Sequence, residues 1–214
     1  MEDMQAILVS GHLGVRLGRL FTGLFLYGTA IALMIRASLG SSPWDVFGQG
    51  VSRTVGISFG AATIAISATV LLLWIPLKQR PGFGTVANAV LVGIFADLAM
   101  LVLDTPSPLL LQAAMFLAGL LMLALASALY IGAGMGPGPR DGLMTGLVRV
   151  TGAPVWVVRT SLELLVVIVG WSLGGVVGIG TVVFAVFIGP LVQQALKLLS
   201  VELDKPPRRT AAPN

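Results

Sequence analysis

Six apolar runs follow one another along the chain, separated by short stretches rich in Gly, Pro and charge. Cut at those breaks, the pattern predicts membrane spans over about Leu20–Ile35, Ser58–Leu77, Thr85–Leu103, Leu109–Ile131, Val155–Leu173 and Thr181–Leu199. A helix needs ~20 apolar residues to cross a hydrocarbon core, and the runs are near that length.

Two other segments are too short to cross. Pro43 to about Arg53 would extend only ~16 Å as a helix. Its ends carry helix signals. Ser42 suits the N-cap, Pro43 the first helical position, and Asp45 the positive end of the dipole. Arg53 falls in the last turn, and Gly56 suits a left-handed stop. Gly138, Pro139, Asp141, Arg149 and Gly152 repeat this grammar. Short helices are therefore expected at about 43–54 and 139–150. Two readings stand for each. The acids and arginines simply complete the helix ends, or the segments are re-entrant half-helices whose first amides face the centre and bind an anionic substrate group. Trp44 reads either as an interfacial anchor or as an aromatic wall of a site.

Composition agrees with a membrane protein. Of 214 residues, 56% are hydrophobic and 10% charged, with a mean hydropathy of +0.96. A soluble domain carries about 25% charged residues, so a soluble enzyme, a DNA-binding domain and a disordered regulator are excluded. There is no cysteine, and the single histidine, His12, lies in the amino-terminal tail. Disulfides, iron–sulfur clusters, thiolate metal sites, intramembrane His sites and a His-based triad are thereby set aside. No metal, cofactor or enzymatic activity is expected. The net charge of +4 is spread between apolar runs, which fits loop anchoring and not nucleic-acid binding.

Basic residues set the orientation. With the amino terminus inside, the inner side receives Arg16, Arg19, Lys78, Arg80, Arg140, Arg149, Lys197, Lys205, Arg208 and Arg209, against Arg36 and Arg53 outside. The positive-inside rule then puts both termini in the cytoplasm of a bacterial plasma membrane. Residues 1–17 are expected to be a cytoplasmic tail and not a signal peptide, because Glu2 and Asp3 open the chain. Residues 201–214 are expected to be a disordered cytoplasmic tail.

The chain also repeats itself with a shift of 96 residues. Pro43, Asp45, Gly50, Arg53 and Gly56 align with Pro139, Asp141, Gly146, Arg149 and Gly152. Gly82-Phe83-Gly84-Thr85-Val86 aligns with Gly178-Ile179-Gly180-Thr181-Val182. Each copy holds three spans, an odd number, so the second copy must sit upside down relative to the first. The expected fold is all-α and polytopic: about six transmembrane helices as two inverted three-helix repeats (18–104 and 105–200), each with a short helix after its first span. Such repeats are best known from secondary transporters.

Ionisable groups within spans need a reason. Glu163 sits ~12 Å into the fifth span, and Arg159 lies four residues before it on the same face. They read as a neutralising pair, or as a proton- or cation-accepting carboxylate with its counter-ion. Asp97 and Asn88 lie in the third span, and Asp97 is the stronger candidate because a buried carboxylate needs a partner. Ala114, Ala118, Ala124 and Ala128 offer small steps for close packing in the fourth span. Pro190 is expected to kink the sixth.

Taken together, Ala37-Ser38-Leu39-Gly40-Ser41-Ser42-Pro43-Trp44-Asp45, Gly84-Thr85-Val86-Ala87-Asn88, Asp97, Gly136-Pro137-Gly138-Pro139-Arg140-Asp141-Gly142-Leu143, Arg159-Thr160 and Glu163 resemble the YczE/YyaS/YitT family of bacterial integral membrane proteins. The likeness covers nearly all the chain between its tails and is closest to the short YczE-like branch, which lacks a cytoplasmic ligand-binding domain. It implies fold and location, not a substrate.

The functional expectation is a transporter or permease for a small solute, with a site between the repeats. Ser42, Trp44, Asp45, Asn88, Asp97, Arg140, Asp141, Arg159 and Glu163 are the candidate substrate-binding residues. The alternative is a non-transporting scaffold or accessory subunit. The lipid bilayer is the one certain partner. Coupling to a proton or cation, and a homo-oligomer, are left open.

Overall fold

The computed structural model describes residues 2–199, with side chains described from Leu13 onward. Every regular element among them is helical: α1 (Glu2–Arg36), α2 (Pro43–Val55), α3 (Phe59–Leu73), α4 (Phe83–Val102), α5 (Leu109–Gly132), α6 (Pro139–Thr151), α7 (Val155–Ser172) and α8 (Ile179–Leu198). The carboxy-terminal tail expected over 201–214 and the His12 side chain lie outside the described residues.

Helices α1 (from Leu13), α4, α5, α7 and α8 are long and apolar enough to cross a membrane. Helices α2 and α3 reach that standard only as a pair, bent by 111° at the break between them. The second span therefore differs from its expected extent. It stops at Leu73 and not at Leu77, because Pro76 bars its predecessor from helical angles. The stop is also anchored. Trp74 is buried, its Nε1 donates to the Pro139 carbonyl at 3.0 Å, and its ring packs on Gly142. The end of α3 is thus docked on the start of α6.

The amino-terminal stretch read as a tail is helical from Glu2 and continuous with the first span. No proline interrupts it, and its glycines cost only about 1 kcal/mol each relative to alanine. The two short helices form where their end signals place them. Ser42 Oγ accepts from the Asp45 N–H at 3.2 Å. Gly56 and Gly152 close α2 and α6 in the left-handed conformation, at φ 75° and 67°.

The core is the crossing of α1 with α5. Arg16 Nε donates to the Ala133 carbonyl at 2.8 Å and its Nη2 to that of Gly134 at 2.7 Å. Arg16, midway along α1, therefore meets the end of α5, while the last turns of α1 lie beside the first half of α5, so the two helices are antiparallel. Gly23 lies against Tyr130 and Ala126, while Gly119 lies against Ala30 and Met34. The alanine steps expected to guide this packing are only partly used. Ala124 and Ala128 are buried, but Ala114 and Ala118 are exposed, because the contact edge of α5 runs through Gly119, Ala126 and Tyr130. Lipid is as apolar as these side chains, so such close backbone approach stabilises the crossing more than apolar burial does. Leu101, Leu110, Ile168 and Val182 are more than half exposed on the outside of the bundle. Helix α8 runs through Pro190 as one element.

Contacts recur under the 96-residue shift with the two halves exchanged. The Gly84 N–H donates to the Met135 carbonyl at 2.8 Å, and the Gly180 N–H donates to the Leu39 carbonyl at 2.8 Å. Arg53 donates to the Gly174 carbonyl and Arg149 to that of Leu77, a match that is one residue out of register at the acceptor. Gly40 and Gly136 hold the two matching turns at φ 104° and 118°, each against a threonine hydroxyl of the other half, Thr181 and Thr85. Those angles are open to glycine and rarely to other residues. Arg53 and Arg149 lie in the last turns of their own helices as expected, and their guanidiniums also satisfy carbonyls beyond the ends of other helices.

The exchange is not complete. Helix α3 packs along α4, whereas the matching α7 and α8 barely touch.

Candidate functional site

The turns 37–42 and 133–138 leave opposite ends of the α1–α5 pair, yet the helices that follow them begin side by side. Arg140 Nη2, in the first turn of α6, lies 3.6 Å from Asp45 Oδ1, in the first turn of α2. The Arg140 guanidinium also stacks 5.3 Å from the centroid of the Trp44 ring. Ser42 Oγ donates to Asp45 Oδ2 at 2.5 Å, so one carboxylate oxygen is satisfied. The other, Oδ1, is buried and accepts no hydrogen bond. Asp45 is 1% exposed and Arg140 26%.

Beside this pair is a cavity of about 410 Å³, within the range of small-molecule sites. Ser42, Trp44, Asp45, Arg140, Asp141, Arg159 and Glu163 all line it. Arg159 Nε donates to Glu163 Oε1 at 2.9 Å, and both side chains are partly exposed. Along α8 the cavity runs from Phe184 to Leu196, toward the end of the bundle where α1 begins.

A second cavity, of about 40 Å³, lies beyond a shared wall of Tyr27, Tyr130, Arg140 and Asp141. Tyr130 Oη donates to Asp141 Oδ2 at 2.8 Å, and the rings of Tyr27 and Tyr130 meet edge to face with centroids 6.0 Å apart. The small cavity is lined by Thr63, Ser67, Asn88, Val92, Gly138 and Pro139. Adding or subtracting 96 turns these positions into Arg159, Glu163, Phe184, Ile188, Ser42 and Pro43, all of which line the large cavity. The linings of the two cavities thus correspond under the 96-residue shift, although one cavity is about ten times the volume of the other.

Asn88 thus stands across the wall from the other candidates. Asp97 lines neither cavity. Its carboxylate accepts from Ser58 Oγ at 2.5 Å and from the Gly60 N–H at 2.7 Å, which closes the first turn of α3 against α4. Its counterpart Gln193 lines the large cavity.

Sequence reasoning missed Tyr27, Tyr130, Ser127, Thr63 and Ser67. For the tyrosines a signal existed. They are the only two in the chain, both lie inside apolar runs, and a buried phenol needs a polar partner. Nothing set the serines and threonines apart, because hydroxyls in membrane helices bond their own backbone as readily as a neighbour.

This geometry can be set against known proteins. A family model described as a family of unknown function, DUF6198, matches residues 14–197. The chain belongs to the DUF6198 family. One relative, an uncharacterized protein of Haemophilus influenzae, is 38% identical over 181 residues, covering 85% of this chain and 83% of its own. The uncharacterized membrane protein YczE of Bacillus subtilis is 31% identical over 198 residues, covering 90% and 91%. YyaS of the same organism is 26% identical over 163 residues, covering 74% and 81%. No solved structure matches. This DUF6198 member is a multi-pass integral membrane protein, as its apolar helices and the likeness to YczE together indicate.

Proposed function

We propose that the protein is a transporter for a small solute, built from two inverted repeats that open a central site to each side of the membrane in turn. One observation carries this reading: two cavities with linings 96 residues apart, one of about 410 Å³ and one of about 40 Å³, flank a shared wall. A chain whose halves exchange roles can reach a second state at little cost, because each half already shows the conformation the other would adopt. In that state the small cavity opens and the large one closes.

The antiparallel α1 and α5 support inversion of the repeats, and the meeting of Asp45 with Arg140 supports re-entrant short helices that start near the midplane. The basic-residue bias supports cytoplasmic termini in a bacterial plasma membrane. In that orientation the large cavity faces the cytoplasm, and the loose α7–α8 pair is its open gate. The tight α3–α4 pair, held by Asp97, is the closed outer gate.

Ser42, Trp44, Asp45, Arg140 and Asp141 are then the binding centre, and Asn88 joins it from the outer side. Arg159 and Glu163 line the inner vestibule, where Glu163 suits uptake of a proton or cation. No bond-making role is assigned to any residue.

The test is flux. Protein reconstituted in liposomes is screened against a panel of labelled small solutes, alongside Arg140→Gln and Asp45→Asn. Uptake that both variants abolish is the expected result. No uptake of any solute would favour an accessory subunit of a larger complex.

A further inference from the structure

We infer that the solute is a small zwitterion, one carrying an ammonium and a carboxylate a few ångströms apart, as in an α-amino acid. The inference rests on reading the large cavity as a solute site.

Its basis is unused bonding capacity of both signs at one point. Asp45 is almost wholly buried, and its Oδ1 has no hydrogen-bond partner. A buried acceptor left in that condition is unusual and calls for an explanation. The nearest cation, Arg140, stands 3.6 Å away, too far for a hydrogen bond. A guanidinium carries five N–H donors in a planar fork that matches a carboxylate. One long contact to Asp45 leaves most of that fork free, and Arg140 is partly exposed to the cavity.

The pair therefore has the arrangement of a site filled by its own counter-charges. A zwitterion replaces it with two better contacts: its ammonium donates to Asp45 Oδ1, and its carboxylate takes the Arg140 fork. Arg140 and Asp45 both line the cavity, so the exchange takes place at its wall, with Arg140 moving off Oδ1. A simple cation would take Asp45 and leave Arg140 without its counter-ion. Asp45, Asp141 and Glu163 line the pocket against Arg140 and Arg159, so a simple anion would add to an excess of negative charge. A ligand with both charges leaves the balance of the pocket unchanged and engages both unused groups, which an uncharged ligand does not. The Trp44, Tyr27 and Tyr130 rings and Leu123 supply apolar wall for a side chain.

The exchange also links binding to the gate. The Asp45–Arg140 contact joins the short helices of the two halves, and a bound zwitterion would bridge them in its place.

The test is a charge series on intact protein in detergent, read as the thermal unfolding midpoint. Glycine, leucine and phenylalanine are each compared with the matching amine (methylamine, isoamylamine, phenethylamine). Each is also compared with the matching acid (acetate, 4-methylpentanoate, 3-phenylpropanoate). At least one amino acid is expected to raise the midpoint by about 3 °C at tenfold excess over its Kd, with its amine and acid without effect. Arg140→Lys keeps the charge and loses the fork, and should weaken that amino acid about tenfold. Asp45→Asn should abolish the response. Should either variant fail to fold, the wild-type series still decides. An amine or an acid that matches its amino acid overturns the zwitterion and leaves the solute site standing. No shift with any of the nine compounds also overturns it. Sided labelling of the two cavities needs no ligand and judges the transport reading separately.

Discussion

Asp97 accepts the Gly60 backbone N–H at 2.7 Å, so a carboxylate on α4 closes the first turn of the helix it packs against. The opposite half has no such contact. Gln193 stands at the matching position, and α7 and α8 barely touch. One side chain thus marks the difference between a closely packed and a loosely packed pair of helices.

Removing that carboxylate should loosen the contact between α3 and α4. In Asp97→Ala the Gly60 N–H and the Ser58 hydroxyl lose their acceptor, at a cost of about 1–3 kcal/mol to the closed arrangement. The expected outcome is faster maleimide labelling of Ser67→Cys in the Asp97→Ala background, with labelling of Met144→Cys unchanged or slowed. Unchanged Ser67→Cys labelling would mean that Asp97 caps α3 and gates nothing.

The Asp45–Arg140 pair makes a different prediction. Asp45→Ala leaves a partly buried guanidinium without its counter-ion, and losing one partner of such a pair costs about 3 kcal/mol. Arg140→Ala leaves Asp45 buried without its cation, which also destabilises the fold. The double variant should be more stable than either single one, since no lone charge remains. Thermal unfolding of the four proteins in one detergent measures this coupling. Additive losses would show that the two side chains act apart.

Gly142→Ala tests the docking of α3 on α6. A Cβ there would stand 1.9 Å from Trp74 Cζ2, so the Trp74 ring must leave its place. The expected loss is about 1–3 kcal/mol, together with a change in Trp74 fluorescence. Trp74→Phe should lose about 1 kcal/mol through the missing bond to the Pro139 carbonyl. Gly142→Ala at wild-type stability would contradict the packing.

The paired turns should be equally intolerant. Gly40→Ala and Gly136→Ala each place a Cβ at positive φ, 2.6 Å from Thr181 Oγ1 and 2.7 Å from Thr85 Oγ1 respectively. Backbone strain alone costs about 1–3 kcal/mol at each. Matching losses of unfolding midpoint are expected. A harmless change at one turn would show that the halves differ there.

Helix limits were legible because their signals are local. Pro43, Pro139, Gly56 and Gly152 act within one turn of the residues they govern, and α2 and α6 form between them. The early end of α3 was also local in origin, through Pro76. Its anchoring was not, because Trp74 and Pro139 are 65 residues apart. Asp97 was read as a cavity residue because a carboxylate in a span needs a partner. The partner is the start of α3, which only the α3–α4 packing reveals. Asp45 was singled out for its own helix end, and Arg140 as an inner-side basic residue beside a matching motif. That they meet depends on two turns folding back from opposite ends of α1 and α5, which no window along the chain contains. Tyr27 and Tyr130 were hidden by their apolar surroundings.

The central claim is that the two cavities open to opposite sides of the membrane. The chain has no cysteine, so Met144→Cys reports on the large cavity and Ser67→Cys on the small one. Each is treated with an impermeant maleimide, from outside in intact cells and from inside in inverted vesicles. The account expects fast labelling of Met144→Cys from the cytoplasmic face only, and slow labelling of Ser67→Cys from the outer face only. Labelling of both from one face would contradict it.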